Sequence, residues 1–170
     1  MIEAGELRLS IRPLDLTEIA EDLVSALKAT EIAHDVMLKL DICSSTEGVW
    51  MGDCKRIRRV LSNLVINAVK FTSEGGGVVR MKACAKKVRF EVEDDGPGVP
   101  EDHLDAIFER FHQVEEQETR RHGGVGIGLN ISRQLVSAMR GQIGVISEEG
   151  RGATFWFEIP LTREKVVRTA

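Results

Sequence analysis

No apolar run in this chain is long enough for a helix to cross a bilayer, and no signal-peptide pattern opens it. A soluble fragment of a membrane protein remains compatible with that. Positive charge is not in excess: 23 Lys and Arg stand against 27 Asp and Glu, for a net charge of −4. That excludes the basic footprint of a nucleic-acid binder. The local basic cluster at residues 55–59 reads as a solvated helix face. Cys43, Cys54 and Cys84 are scattered and odd in number, which excludes a disulfide framework and a zinc-ligand spacing. A reducing, cytoplasmic setting without membrane contact is the expectation. The remaining composition, 42% apolar and 29% charged over 170 residues, is that of one globular domain with a real core.

Residues 6–12 alternate Leu7, Leu9 and Ile11 with polar neighbours and predict a strand that Pro13 stops. Residues 16–28 have helical periodicity, with Ile19, Leu23, Ala26 and Leu27 inward. A strand is expected over 36–42. A central helix then starts at Asp53 as N-cap and runs to Phe71. Gly75, Gly76 and Gly77 precede strands at 78–85 and 88–93, with Lys86 and Lys87 as the turn. Residues 104–111 form a short apolar turn, and 113–124 are polar and read as a mobile loop. A third helix covers 127–139 with Leu135, Val136 and Met139 inward, and strands follow near 144–147 and 154–159. The pattern is α+β: one domain, with helices layered on one face of a mixed sheet.

Three stretches carry chemistry. Successive residues of an α-helix turn by about 100°, so Asn63, Asn67, Lys70 and Phe71 share one stripe of the central helix. Ile57, Val60, Leu61, Leu64 and Ala68 fall mainly on other faces, at core spacing. The stripe offers two carboxamides, an ammonium and an aromatic ring to a metal, a phosphate and a flat ring. A loop at Asp94, Gly96 and Gly98 pairs a carboxylate with glycines, so a flat base can lie against the backbone; alone, it equally describes a capped turn. A second loop, Gly124, Gly126, Gly128 and Leu129, leads into a helix. It brings backbone N–H groups and the positive end of the helix toward an anion. By itself it is also consistent with a hinge, and it is neither a Walker loop nor the dinucleotide fingerprint.

In this order the three stretches resemble the ATP-binding domain of two-component histidine kinases, within the ATPase superfamily that includes DNA gyrase, Hsp90 and MutL. NLVINAVKFT at 63–72 looks like the asparagine box, DDGPG at 94–98 the first glycine box and FERF at 108–111 the phenylalanine box. GVGIGL at 124–129 resembles the second glycine box, and GRGATF at 150–155 the closing one. The resemblance implies a two-layer α/β sandwich of Bergerat type spanning 1–170, with its core at about 7–160. It implies Mg²⁺ and ATP as cofactors, with Asn67 as the metal ligand, since Mg²⁺ takes oxygen ligands and the phosphates bring the charge. Asn63 and Lys70 then act beside Asn67 on the phosphates, Phe71 forms a wall of the base pocket and Asp94 reads the exocyclic amine. Gly96, Gly98, Gly124, Gly126, Gly128, Leu129 and Thr154 complete the nucleotide site. Residues 113–124 become a lid from which Arg120 or Arg121 reaches the phosphates.

The water-using members carry a glutamate one turn before the metal asparagine. Here that place is Asn63, which cannot accept a proton. The resemblance therefore implies transfer of the γ-phosphoryl group to an imidazole, which needs no base. His34 is followed by Asp35 but lacks the long helical hairpin on which such a histidine belongs, and His103, His112 and His122 fall in loops or the lid. The expectation is a monomeric catalytic domain without its dimerisation and phosphoacceptor domain, with that histidine-bearing domain and a downstream response-regulator receiver as partners. Two alternatives share the motifs: a degenerate nucleotide-binding regulatory module and a serine kinase of anti-sigma type.

Overall fold

The computed structural model describes residues 8–30, 36–72, 75–109 and 128–165. In chain order these form β1 (Arg12–Asp15), α1 (Leu16–Lys28), β2 (Met37–Ile42), β3 (Val49–Gly52), α2 (Cys54–Phe71), β4 (Gly76–Cys84) and β5 (Lys87–Asp94). Then follow α3 (Gly128–Ala138), β6 (Gln142–Ser147), β7 (Ala153–Pro160) and β8 (Thr162–Arg163). A five-stranded sheet runs β2-β4-β5-β7-β6; only the β2–β4 pair is parallel. A three-stranded sheet, β1-β3-β8, closes one end. The expected α+β architecture, a mixed sheet with helices on one face, is what the chain adopts.

Strand alternation builds the core. Val88, Phe90 and Val92 of β5 and Phe155, Phe157 and Ile159 of β7 point to one face, where α2 and α3 cover them, while α1 packs on β2 and α2. Phe90 and Phe157 are register partners and stack with ring centroids 4.4 Å apart. Such a pair adds about 0.5–1.5 kcal/mol beyond its buried area. The other face is polar. Arg80 pairs there with Asp41 and Glu93, and Arg89 pairs with Glu91 and Glu158 while its guanidinium lies 4.1 Å from the Trp156 ring.

Helix boundaries follow their caps. Asp15 accepts from the backbone N–H groups of Thr17 and Glu18, and Asp53 from that of Arg56. Several expectations need correction. Pro13 lies inside β1, paired with Met51, and residues 8–11 precede the strand. Proline is tolerated there because β1 is an edge strand. Ala26 is exposed, and Ala20 and Val24 take inward places on α1 instead. The β4–β5 turn is Ala85 and Lys86, with Ala85 in the left-handed region at φ 53. In the described part of 104–111, Ala106–Phe108 make a single 3-10 turn. Neither β3 nor β8 was expected.

Candidate functional site

Asp94 stands where the core-facing alternation of β5 ends. The same pleat that buries Val88, Phe90 and Val92 turns its carboxylate inward, and only 6% of the residue is exposed. Burial pushes its pKa above the ordinary carboxylate value; hydrogen bonds from the Gly96 and Ala153 backbone N–H groups oppose that, and the neighbouring charges of Asp95 and Glu93 add to it. The Gly96 bond measures 2.9 Å. A Cβ on Gly96 would lie 2.9 Å from Asp94 Oδ1 and 3.0 Å from the Phe71 carbonyl oxygen. The carboxylate, the first glycine loop and the C-terminal end of α2 therefore meet at one point.

At that same end sits Thr72, the C-cap residue of α2. It is buried, and among the described residues its Oγ1 has no hydrogen-bond partner. A buried hydroxyl without a partner is costly, and a ligand or water that supplies one is the usual resolution. Phe71, beside it, is 44% exposed and outside the core, so its ring is available to a ligand. Lys70 and Asn67 are half-buried along the stripe above. Among the described residues, no group of three or more His, Cys, Asp or Glu side chains is placed to hold a metal. A divalent ion here needs oxygens beyond the Asn67 carboxamide, which phosphates supply.

Asn63 is half-buried on the same stripe. Its carboxamide Nδ2 donates to the Gly128 carbonyl at 3.2 Å and to Ser132 Oγ at 3.1 Å, joining α2 to the first turn of α3. Gly128 begins α3, and half-buried Leu129 packs against the core beside it. Gly124, Gly126, Phe111, His34, His112, His122, Arg120 and Arg121, with the whole of 113–124, lie outside the described residues. Phe108 is core, and its carbonyl accepts from Asn130 Nδ2.

The closing glycine turn braces the base end of the site. Gly152, at φ +94, lies so close to Asp94 that a Cβ would meet its carbonyl oxygen. Gly98, at φ +74, is packed against the Glu148 and Gly152 carbonyls. That packing and the left-handed backbone require glycine there. Ser147 Oγ accepts from Val99 N–H at 2.7 Å and donates to the Gly152 carbonyl at 2.9 Å. Asp94 pairs with Ala153, whereas Thr154 pairs with Glu93, so the pleat puts Thr154 on the polar outer face, away from Asp94. Thr72 and the Ala153 N–H are site groups that the sequence did not reveal; Thr72 was legible only as the end of its motif, and Ala153 depended on the register.

Residues 52–163 match the family described as histidine kinase-, DNA gyrase B-, and HSP90-like ATPase. Sensor histidine kinase AruS of Pseudomonas aeruginosa is 42% identical over 151 residues, covering 86% of this chain and 15% of that protein. Signal transduction histidine-protein kinase BarA of Escherichia coli is 38% identical over 165 residues, covering 94% of this chain and 18% of that protein. The chain thus spans less than a quarter of these relatives' length. Among solved structures, full-length ShkA in complex with AMPPNP superposes with a TM-score of 0.84 at 35% identity, over 96% of this chain and 34% of that one. A nucleotide-free catalytic domain of histidine kinase ThkA gives 0.76 at 27% identity, over 89% of this chain and 95% of that one.

Proposed function

Because this chain belongs to the histidine kinase-, DNA gyrase B- and HSP90-like ATPase family, and its relatives are sensor histidine kinases, we propose that it binds Mg-ATP and donates the γ-phosphoryl group to a histidine on a separate dimerisation domain. The carrying observation is the buried Asp94 carboxylate at a glycine turn that closes on the Phe71 carbonyl at the end of α2, where the buried Thr72 hydroxyl has no partner among the described residues. That turn fits the amino edge of an adenine. Asp94 accepts from the exocyclic amine, and Thr72 offers a second polar contact. Phe71 borders the ring, while Lys70 and the N-terminus of α3 face the phosphates.

Mg²⁺, when bound, supplies neutralisation of the charge that builds on the phosphoryl oxygens, and the Asn67 oxygen would hold it. This chain's own work is orientation. It fixes the base at Asp94 and the phosphate end at Asn67 and Lys70, so that an incoming imidazole meets a phosphorus already placed for in-line attack. Asn63 cannot accept a proton, so a water held near it gains no base. We place the domain in the cytoplasm, as a monomer in isolation, acting with a histidine-bearing hairpin and, downstream, a receiver domain. No helix among the described residues is long and apolar enough to cross a membrane.

The test uses labelled ATP. The chain alone should bind Mg-ATP yet neither label itself nor release phosphate briskly; adding the parent's histidine hairpin in trans should yield labelled histidine. Asn67→Ala should depress that transfer more than it weakens nucleotide binding, because metal placement matters most where charge develops. Normal transfer by Asn67→Ala, or label on His34 of the chain alone, would refute the assignment.

A further inference from the structure

The bridge between α2 and α3 has a chemical direction. The Gly128 carbonyl can only accept. The Ser132 hydroxyl has one hydrogen, and it donates this to the same Gly128 carbonyl at 2.9 Å, an i to i−4 bond within α3. Toward Asn63, Ser132 Oγ is therefore an acceptor. Both partners accept, so both hydrogens of the Asn63 carboxamide are committed to α3, and the amide cannot be turned over without placing its oxygen against the Gly128 carbonyl, which can only accept. The atom left for the site is Asn63 Oδ1, to which nothing among the described residues donates. Ser132 is fully buried.

We propose that Ser132 is a positioning residue: with the Gly128 carbonyl it locks the Asn63 carboxamide so that its oxygen is presented to the metal-and-phosphate end of the nucleotide. The inference rests on the nucleotide reading above. It also links the two halves of the site, since the residue that orients a group on α2 lies one turn into the helix that follows the second glycine loop. A hydrogen bond serving only to hold two helices together would affect nucleotide binding alike with and without metal. A bond that aims an oxygen at the metal-and-phosphate end should act on the increment that Mg²⁺ adds.

The experiment measures the affinity of the whole chain for ADP and for a non-hydrolysable ATP analogue by calorimetry, once with Mg²⁺ and once with EDTA. Ser132→Ala should cut the Mg²⁺-dependent gain in affinity by about three- to tenfold, the range expected for one hydrogen bond, and leave affinity in EDTA nearly unchanged. Asn63→Ala should lose the same gain, and the double variant should be no worse than Asn63→Ala alone. Ser132→Thr, which keeps the hydroxyl, should restore the gain. If the alanine variant melts before it can be measured, Ser132→Cys, similar in size but a weak acceptor, should show the same loss. A full Mg²⁺ gain in Ser132→Ala or Ser132→Cys, equal loss with and without metal, or additive effects in the double variant would overturn the proposal. Failure of the unmodified chain to bind any nucleotide would instead overturn the site reading beneath it.

Discussion

Asp94→Asn should move binding and stability in different directions. The native carboxylate accepts from two backbone N–H groups, those of Gly96 and Ala153, and has capacity left for a ligand amine. Asparagine has a single acceptor oxygen, and its amide nitrogen must face either a backbone N–H or the ligand amine, donor against donor. Loss of an acceptor that is charged and desolvated costs about 1.5–3 kcal/mol, so nucleotide affinity should fall about 10- to 150-fold. The unliganded protein behaves otherwise. Burial holds the Asp94 pKa above its ordinary value of 3.8, which means that the ionised form is disfavoured in the fold. A neutral amide does not carry that burden, so the melting temperature without ligand at neutral pH should be unchanged or higher. The pH dependence follows by sign. The stability this group contributes is fully present below its unfolded pKa and is lost as pH rises through the raised folded value. Nucleotide affinity should run the opposite way over the same window, because only the ionised carboxylate accepts fully. Asp94→Asn should flatten both profiles. Calorimetry paired with thermal melts reads all of this, and an unchanged affinity in the variant would refute the role of Asp94.

Thr72→Val removes a buried hydroxyl with no partner among the described residues, so the empty domain should hold its stability or gain slightly, while nucleotide affinity falls by severalfold in calorimetry. Asp53→Ala removes an N-cap that also accepts from Ser10 N–H at 2.9 Å and pairs with Arg56 at 2.9 Å; unfolding in urea should show a loss of at least about 1–2 kcal/mol. Burial raises the Asp53 pKa, but the hydrogen bonds from Ser10 and Arg56 outweigh it and the net shift is downward. Its contribution should therefore be present above pH 3.8 and disappear as pH falls through the lowered value. Gly152→Ala forces a Cβ against the Asp94 carbonyl in left-handed backbone, so a drop in melting temperature and weakened nucleotide binding should appear together.

The helices were legible in the chain by their apolar periodicity, and α2 announces itself a second time by the polar residue at its start. Asp53 and the spacing of Ile57, Leu61, Leu64 and Ala68 located α2 with both ends correct. The short strands had no such signal. Val49–Gly52 is four residues long, too short for alternation to register, and its place depends on pairing with β1 and β8 at opposite ends of the chain. Pro13 misled because its meaning changes between a central strand and an edge strand, and edge position is a property of the sheet. The site divided along the same line. Asn67, Lys70, Phe71 and Asp94 were visible as local patterns. The partner of Asn63 was not, since Ser132 is 69 positions away and resembles any helical serine. Which of Ala153 and Thr154 faces Asp94 depends on the register with β5, and in a strand one residue is the whole difference between faces.

The β1–β3 pairing has a mechanical consequence. Residues just before β1 are fastened to the start of α2: the Ser10 N–H donates to Asp53, and Arg56 both pairs with Asp53 and donates to the Arg8 carbonyl at 2.8 Å. The strand β8, near the other end of the described chain, zips onto the opposite edge of β3, which runs directly into Asp53. Tension or torsion on either flank is thus delivered to the first turn of the helix whose last turn bears Lys70 and Phe71. An 18-residue helix transmits a small tilt at one end as a displacement at the other, as a stiff lever does.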